Sequence, residues 1–258
     1  MAFDTHAHLA DERFHEDRDA VIERATAASV SGIVCVATTA DDSVRCVEIA
    51  AKYPTVWASA GLQPNTIAES KPGDWDRVVA LAQQPRVIAI GETGLDRHWD
   101  FTPFPHQEDF FRRHLALSRE TRHPVIIHCR EAEADVVRML RDEFDRAGPI
   151  EGIMHSFTGD WPTAEACLAM GLFISFAGMI TYKSAATLRA VAARIPPERL
   201  LLETDCPYLA PTPVRGQRNE PAYLVHTASC LAGERGIPAD DLLALTARNA
   251  RQLFGLAG

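Results

Sequence analysis

His6 and His8 stand two residues apart in the run Phe3-Asp4-Thr5-His6-Ala7-His8. In an extended strand, side chains two apart share a face, so Asp4, His6 and His8 are expected to project together, and the two imidazoles to form half of a metal site. Groups of the same chemistry recur where other apolar runs end. Val87-Ile88-Ala89-Ile90-Gly91-Glu92 closes on a carboxylate, and Val125-Ile126-Ile127-His128 and Gly152-Ile153-Met154-His155 each close on an imidazole. Leu200-Leu201-Leu202-Glu203-Thr204-Asp205 ends with two carboxylates on one face.

Carboxylates and imidazoles gathered unpaired in an apolar frame carry a heavy desolvation cost, which bound divalent cations relieve. The candidate ligands are therefore His6, His8, Glu92, His128, His155 and Asp205. Nitrogen and oxygen donors of this kind suit Zn, Mn, Fe, Co or Ni, and Mg less naturally. This many ligands fit two cations better than one, with Glu92, central in the chain order, as the candidate bridge. Asp205 is placed for a second task, taking a proton from an attacking water, so Glu92 and Asp205 are the candidate catalytic carboxylates. Asp4 and Glu203 read as groups that orient the ligand histidines. Arg130 shares parity with His128 two residues further out, and either meets a substrate phosphate or pairs with Glu131 or Glu133 at a helix start. Arg215 and Arg218, just past Asp205, form a local basic patch for phosphate.

Positioning these groups requires many short elements. After the first strand, helical spacing covers 16–29, 41–52, 74–83, 107–121, 131–144, 163–170 and 184–193, and apolar runs cover 32–38, 54–62, 87–90, 124–128, 152–155, 172–176 and 200–202. The strands are apolar on both faces and separated by helices, the pattern of a parallel sheet covered on both sides. No strand reads as a polar edge, so a closed (β/α)8 TIM barrel is expected, with residues 1–258 as a single domain and two last helices over 222–235 and 239–254. In such a barrel the active site lies at the C-terminal ends of the strands, where every candidate ligand falls. The Pro-rich stretches 103–105 and 207–213 are expected to be loops at that mouth.

The balance of 26 basic and 35 acidic residues, a formal charge of −9, argues against a surface built to grip long nucleic acid non-specifically. There is no signal pattern and no long apolar stretch, so no membrane association is expected and the expected location is cytoplasmic. The cysteines at 35, 46, 129, 167, 206 and 230 show no Cys-x-x-Cys spacing and read as isolated thiols. Moderate surface charge is compatible with a monomer.

Taken together, these blocks resemble the TatD family of metal-dependent deoxyribonucleases, within the amidohydrolase-like barrels. The resemblance lies in Asp4-Thr5-His6-Ala7-His8-Leu9, Gly91-Glu92-Thr93-Gly94-Leu95-Asp96, Pro124 to Arg130, His155-Ser156-Phe157-Thr158-Gly159, Glu203 to Pro207, Arg215 to Pro221 and Asn249 to Phe254. It implies that His6, His8 and Asp205 bind one metal, that Glu92 bridges, and that His128 and His155 bind the second. It also implies divalent-metal-dependent cleavage of DNA phosphodiesters, often as an exonuclease. One departure stands out: the family commonly has Gly-x-His-Pro-His where this chain has Gly61-Leu62-Gln63-Pro64-Asn65. Gln63 and Asn65 are candidate substrate contacts that can hydrogen-bond but cannot carry a proton. Two functions are therefore carried forward: a two-metal phosphodiesterase acting on DNA, and an amidohydrolase-type esterase or deacylase acting on a carbonyl centre.

Overall fold

Helix and strand alternate along the whole chain of the computed structural model, which describes residues 1–256. The strands are β1 (Ala2–Ala7), β2 (Val30–Cys35), β3 (Val56–Ala60), β4 (Val87–Asp96), β5 (Val125–Arg130), β6 (Gly152–Met154), β7 (Phe173–Phe176) and β8 (Leu200–Leu202). Between them lie α1 (Arg18–Ala27), α2 (Ala40–Lys52), α3 (Asp74–Leu81), α4 (Phe104–Thr121), α5 (Glu133–Ala147), α6 (Trp161–Ala169) and α7 (Ala186–Arg194), and after β8 come α8 (Leu224–Arg235) and α9 (Ala239–Leu253). The eight strands pair in chain order, each parallel to the next. The circle is completed just past β8, where Ala7 bridges Cys206 in parallel. There the Asp205 N–H donates to the His6 carbonyl at 2.9 Å and the His8 N–H to the Cys206 carbonyl at 2.7 Å. This is the expected (β/α)8 barrel.

Two expectations need correction. β4 does not stop at 90 but runs on to Asp96, carrying Glu92 inside the strand. The stretch 103–105 is not a mouth loop, because α4 starts at Phe104 with Pro105 in its first turn, where a missing N–H costs nothing. A short 3-10 segment, Pro64–Glu69, follows β3 and was not foreseen.

The helices pack by their apolar stripes. In α5 the buried positions Val136, Met139, Leu140 and Glu143 recur at helical spacing, the last neutralised by Arg119 and Arg146. Inside the barrel a separate cluster joins Phe3, Val34, Ile88, Ile126, Ile153, Phe173 and Leu201 to Ala247, Ala250 and Phe254 at the end of the chain. The side chains of α9 and the residue after it thus fill the barrel end opposite the ligands. Phe3 is sandwiched between Trp57 and Phe254, with ring centroids 5.7 Å and 5.9 Å away. Phe3→Ala should cost about 3–5 kcal/mol of unfolding free energy in urea denaturation, the usual result of emptying an aromatic site in a packed core.

Candidate metal centre

The ligand strands are irregular where the ligands leave them. Asp4 of β1 pairs with Ile33 and Ala7 with Cys35, three residues against two, so β1 carries an extra residue at this point. Such a bulge re-aims side chains. Phe3 faces the interior cluster, yet His6 and His8 both reach the mouth centre, and Asp4 does not join them. This corrects the expectation of one shared face. Asp4 turns to the seam, where it accepts from the Thr204 N–H (2.9 Å), the Thr204 hydroxyl (2.5 Å) and the His6 N–H (3.3 Å). Burial pushes its carboxyl up to about 7 in spite of these bonds.

The same device recurs at Glu92, where Ile90 pairs with Val125 and Thr93 with Ile127. Gly91 has φ +131°, and a Cβ there would lie 2.7 Å from the Ile126 carbonyl oxygen, so only glycine suits this approach.

Glu92 divides its carboxylate. Oε1 lies 2.9 Å from His128 Nδ1 and 3.1 Å from His155 Nε2, while Oε2 lies 3.5 Å from His6 Nε2 and 3.8 Å from His8 Nε2. Asp205 Oδ1 completes the second side, 3.3 Å from His8 Nε2 and 3.7 Å from His6 Nε2. Two three-residue groups result: His6, His8 and Asp205 on one side, and Glu92, His128 and His155 on the other. A third grouping of His6, His155 and Glu203 lies behind them.

Electrostatics fit this division. Burial alone would raise Glu92, but the imidazoles of His155, His128 and His6 outweigh it and hold its carboxyl well below the usual range. Asp205 is lowered in the same way by His8 and His6 against its burial. Burial opposes charge on His8, yet Asp205 brings it up to about 9. His6 is pushed down, by burial first and then by His155.

The free ring nitrogens are set by what holds the others. His8 Nδ1 is 3.1 Å from the Val36 carbonyl, His128 Nε2 is 2.9 Å from Asp96 Oδ2, and His155 Nδ1 is 3.3 Å from Glu203 Oε1. In each case the remaining nitrogen points at Glu92 or Asp205, as a metal-ligating imidazole requires. Buried atoms without a hydrogen-bond partner also collect here, at His6 Nδ1 and Glu203 Oε2. The all-nitrogen-and-oxygen donor set and these orphaned atoms fit divalent cations. Asp96 is the residue that sequence reasoning missed. It sits four residues after Glu92 on the same strand, a signal hidden by ending that strand at 90.

A cleft of about 620 Å³ opens above the groups and is lined by Gln63, Asn65, Trp99, Arg130 and Tyr208 together with His8, Glu92, His128, His155 and Asp205. Asn65 Nδ2 donates to Asp96 Oδ2 at 2.9 Å, and Gln63 Oε1 accepts from the Asn65 N–H at 2.8 Å. Of the three candidate arginines, Arg130 lines the cleft, and it pairs with neither Glu131 nor Glu133. Glu131 instead takes His98, at 2.7 Å. Arg215 and Arg218 do not line it. The Arg215 guanidinium sits 4.2 Å from the Tyr182 ring centre, and Arg218 is held by Asp17 at 2.6 Å and 2.8 Å, with its donors committed to the α1 end.

A buried imidazole fixes the strand end that leads to Gln63. His114 of α4 lies with Nδ1 2.6 Å from the Phe110 carbonyl, so its Nε2 accepts from the Leu62 N–H at 3.0 Å. Burial pushes it down to about 4.

A parallel barrel with a cluster of imidazoles and carboxylates at the C-terminal ends of its strands defines the class of metal-centred barrel hydrolases. The family described as TatD related DNase matches residues 3–255, and the chain belongs to it. It is 40% identical over 254 residues to YabD of Bacillus subtilis, named as an uncharacterized metal-dependent hydrolase, covering 98% of this chain and 99% of that one. It is 37% identical to TatD of Salmonella typhimurium, named as a 3'-5' ssDNA/RNA exonuclease, covering 98% of each. Among solved structures, the TatD homologue YjjV of Escherichia coli K12 superposes with a TM-score of 0.92 at 30% identity, covering 99% of this chain and 98% of that one.

Two outcomes are expected. Asp96→Ala should lower affinity for added Mn or Zn about 10–100-fold in calorimetric titration, because His128 loses the carboxylate that sets its tautomer. His114 binds its proton less readily folded (about 4) than unfolded (6.5), so its contribution to stability is complete above pH 6.5 and is lost as pH falls toward 4. Wild type should lose about 3 kcal/mol more than His114→Gln across that window in urea denaturation, and equal losses would contradict this.

Proposed function

We propose that this chain is a divalent-metal-dependent phosphodiesterase acting on nucleic acid, with DNA ends as the leading substrate and two cations in its centre. The division of the Glu92 carboxylate between two pairs of imidazoles carries this reading, since a carboxylate offering one oxygen to each side is what bridges two cations. When bound, two divalent cations supply Lewis-acid polarisation of the phosphate and activation of water.

The chain's own groups do the rest. His6, His8 and Asp205 would hold one cation and His128 and His155 the other, with Glu92 shared between them, while Asp96 and Glu203 keep His128 and His155 in the tautomers that ligate. Asp205, with its side chain 13% exposed at the cleft floor, stays ionised and takes the proton of the attacking water. Arg130 on the cleft wall meets a flanking phosphate. That the Salmonella relative is named as a 3'-5' ssDNA/RNA exonuclease favours attack at the 3' ends of single strands, RNA included. All the ligands come from one chain, which suits a monomer, and the six free cysteines suit the reducing cytoplasm. No helix among the described residues is long and apolar enough to cross a membrane.

One observation supports a carbonyl-centred hydrolase instead. Gln63 and Asn65 stand in the cleft wall where the family commonly has histidines, and Asn65 is tied to Asp96. The two readings separate on one preparation loaded in turn with Mn, Mg and Zn and assayed on end-labelled DNA and RNA and on a panel of esters and lactones. Phosphodiester cleavage should dominate, and Glu92→Gln and Asp205→Asn should each lower kcat about 10²–10⁴-fold. Ester turnover without nucleic-acid cleavage would transfer the assignment to the second reading, and metal-loaded protein inert on both would end both.

A further inference from the structure

The loop after β4 leaves two large aromatic rings in solvent, face to face. Trp99 is 43% and Phe101 60% exposed, with ring centroids 5.3 Å apart and planes 10° from parallel. The other tryptophans, at 57, 75 and 161, are all better covered. Neither ring helps to hold a cation, yet Trp99 lines the cleft above the metal groups.

The pair is braced. The N–H groups of His98 and Trp99 both donate to Asp96 Oδ1, at 2.9 Å and 3.0 Å. The His98 ring stands edge-on to Trp99 at 4.7 Å, and its Nδ1 lies 2.7 Å from Glu131 Oε1. Arg97 is fixed to Asp135 at 2.8 Å, and its N–H to the Arg130 carbonyl at 2.9 Å. Asp96 also holds His128, so one carboxylate anchors both the rings and a metal ligand. The Arg130 guanidinium lies 5.6 Å from the Trp99 ring centre, and among the described residues no ion pair engages it. An unneutralised cation in a chain of net charge −9, beside a preformed aromatic step at the lip of the cleft, matches one ligand chemistry: flat bases on an anionic backbone.

We propose that Trp99 and Phe101 form a stacking step for an unpaired nucleobase flanking the scissile phosphate, with Arg130 meeting the adjoining phosphate. This rests on the nucleic-acid reading above and gives it a substrate form. Bases already stacked within a duplex cannot use the step, so it selects single strands and is indifferent to sequence.

Binding tests this apart from turnover. The full chain in EDTA is titrated, by fluorescence anisotropy, into a labelled short oligothymidylate and into the same oligomer made abasic throughout. Wild type should bind the base-bearing oligomer about tenfold more tightly than the abasic one. Trp99→Ala and Phe101→Ala should each remove most of that preference while leaving abasic binding unchanged, and Trp99→Phe, which keeps a ring, should retain it. Equal affinity of wild type for the two oligomers, or alanine variants that weaken both alike, would overturn the step. So would a change in sedimentation of Trp99→Ala without a change in base preference, which would make this a self-association face. Cleavage by metal-loaded protein with no base preference would remove the step and leave the activity; base preference without cleavage would do the reverse.

Discussion

The seam between β1 and β8 is the constraint on which the centre depends. His6 and His8 come from the first strand and Asp205 from just beyond the last, so their grouping exists only while these edges are joined. Two backbone hydrogen bonds and the Ala7–Cys206 bridge make the join, and Asp4 reinforces it by accepting from both the backbone and the hydroxyl of Thr204. Asp4 is fully buried and accepts from the Thr204 N–H and hydroxyl and the His6 N–H, so its role is to pin neighbouring backbone. The ligand groups are thus a consequence of ring closure.

Within the closed ring, the bulges decide where side chains point. Regular alternation would have set Phe3 and His6 on opposite faces, yet the extra residue in β1 lets Phe3 fill the core and His6 reach the mouth. The matching irregularity in β4 places Glu92 between the two sides, with Gly91 accepting the backbone shape that this needs. The imidazoles are then set from outside by the Val36 carbonyl, Asp96 and Glu203. The six candidate ligands converge at the mouth of the ring, and the surrounding groups fix the tautomers of three of their four imidazoles.

Much of this was legible in the sequence. Short doubly apolar runs separated by helical patterns have few solutions other than a parallel barrel, and the ligand residue types ended those runs. What was hidden followed from local geometry. A bulge leaves no mark in composition, so Asp4 was placed on the wrong face. The purely apolar part of β4 ends at 90, and the strand's continuation through Glu92 to Asp96 has no such pattern to reveal it. Arg218 has the residue type and chain position of a phosphate contact, but Asp17, distant in sequence, takes its donors. Such pairings depend on which loop lies beside which, and that is settled only by the tertiary structure.

The packing of the chain's end into the barrel floor has a topological consequence. Ala247, Ala250 and Phe254 close the side opposite the ligands, so the barrel is a cup with one opening. Whatever enters must leave by the same door. A polymer can dip an end into such a cup or lie across its rim, but it cannot be threaded through.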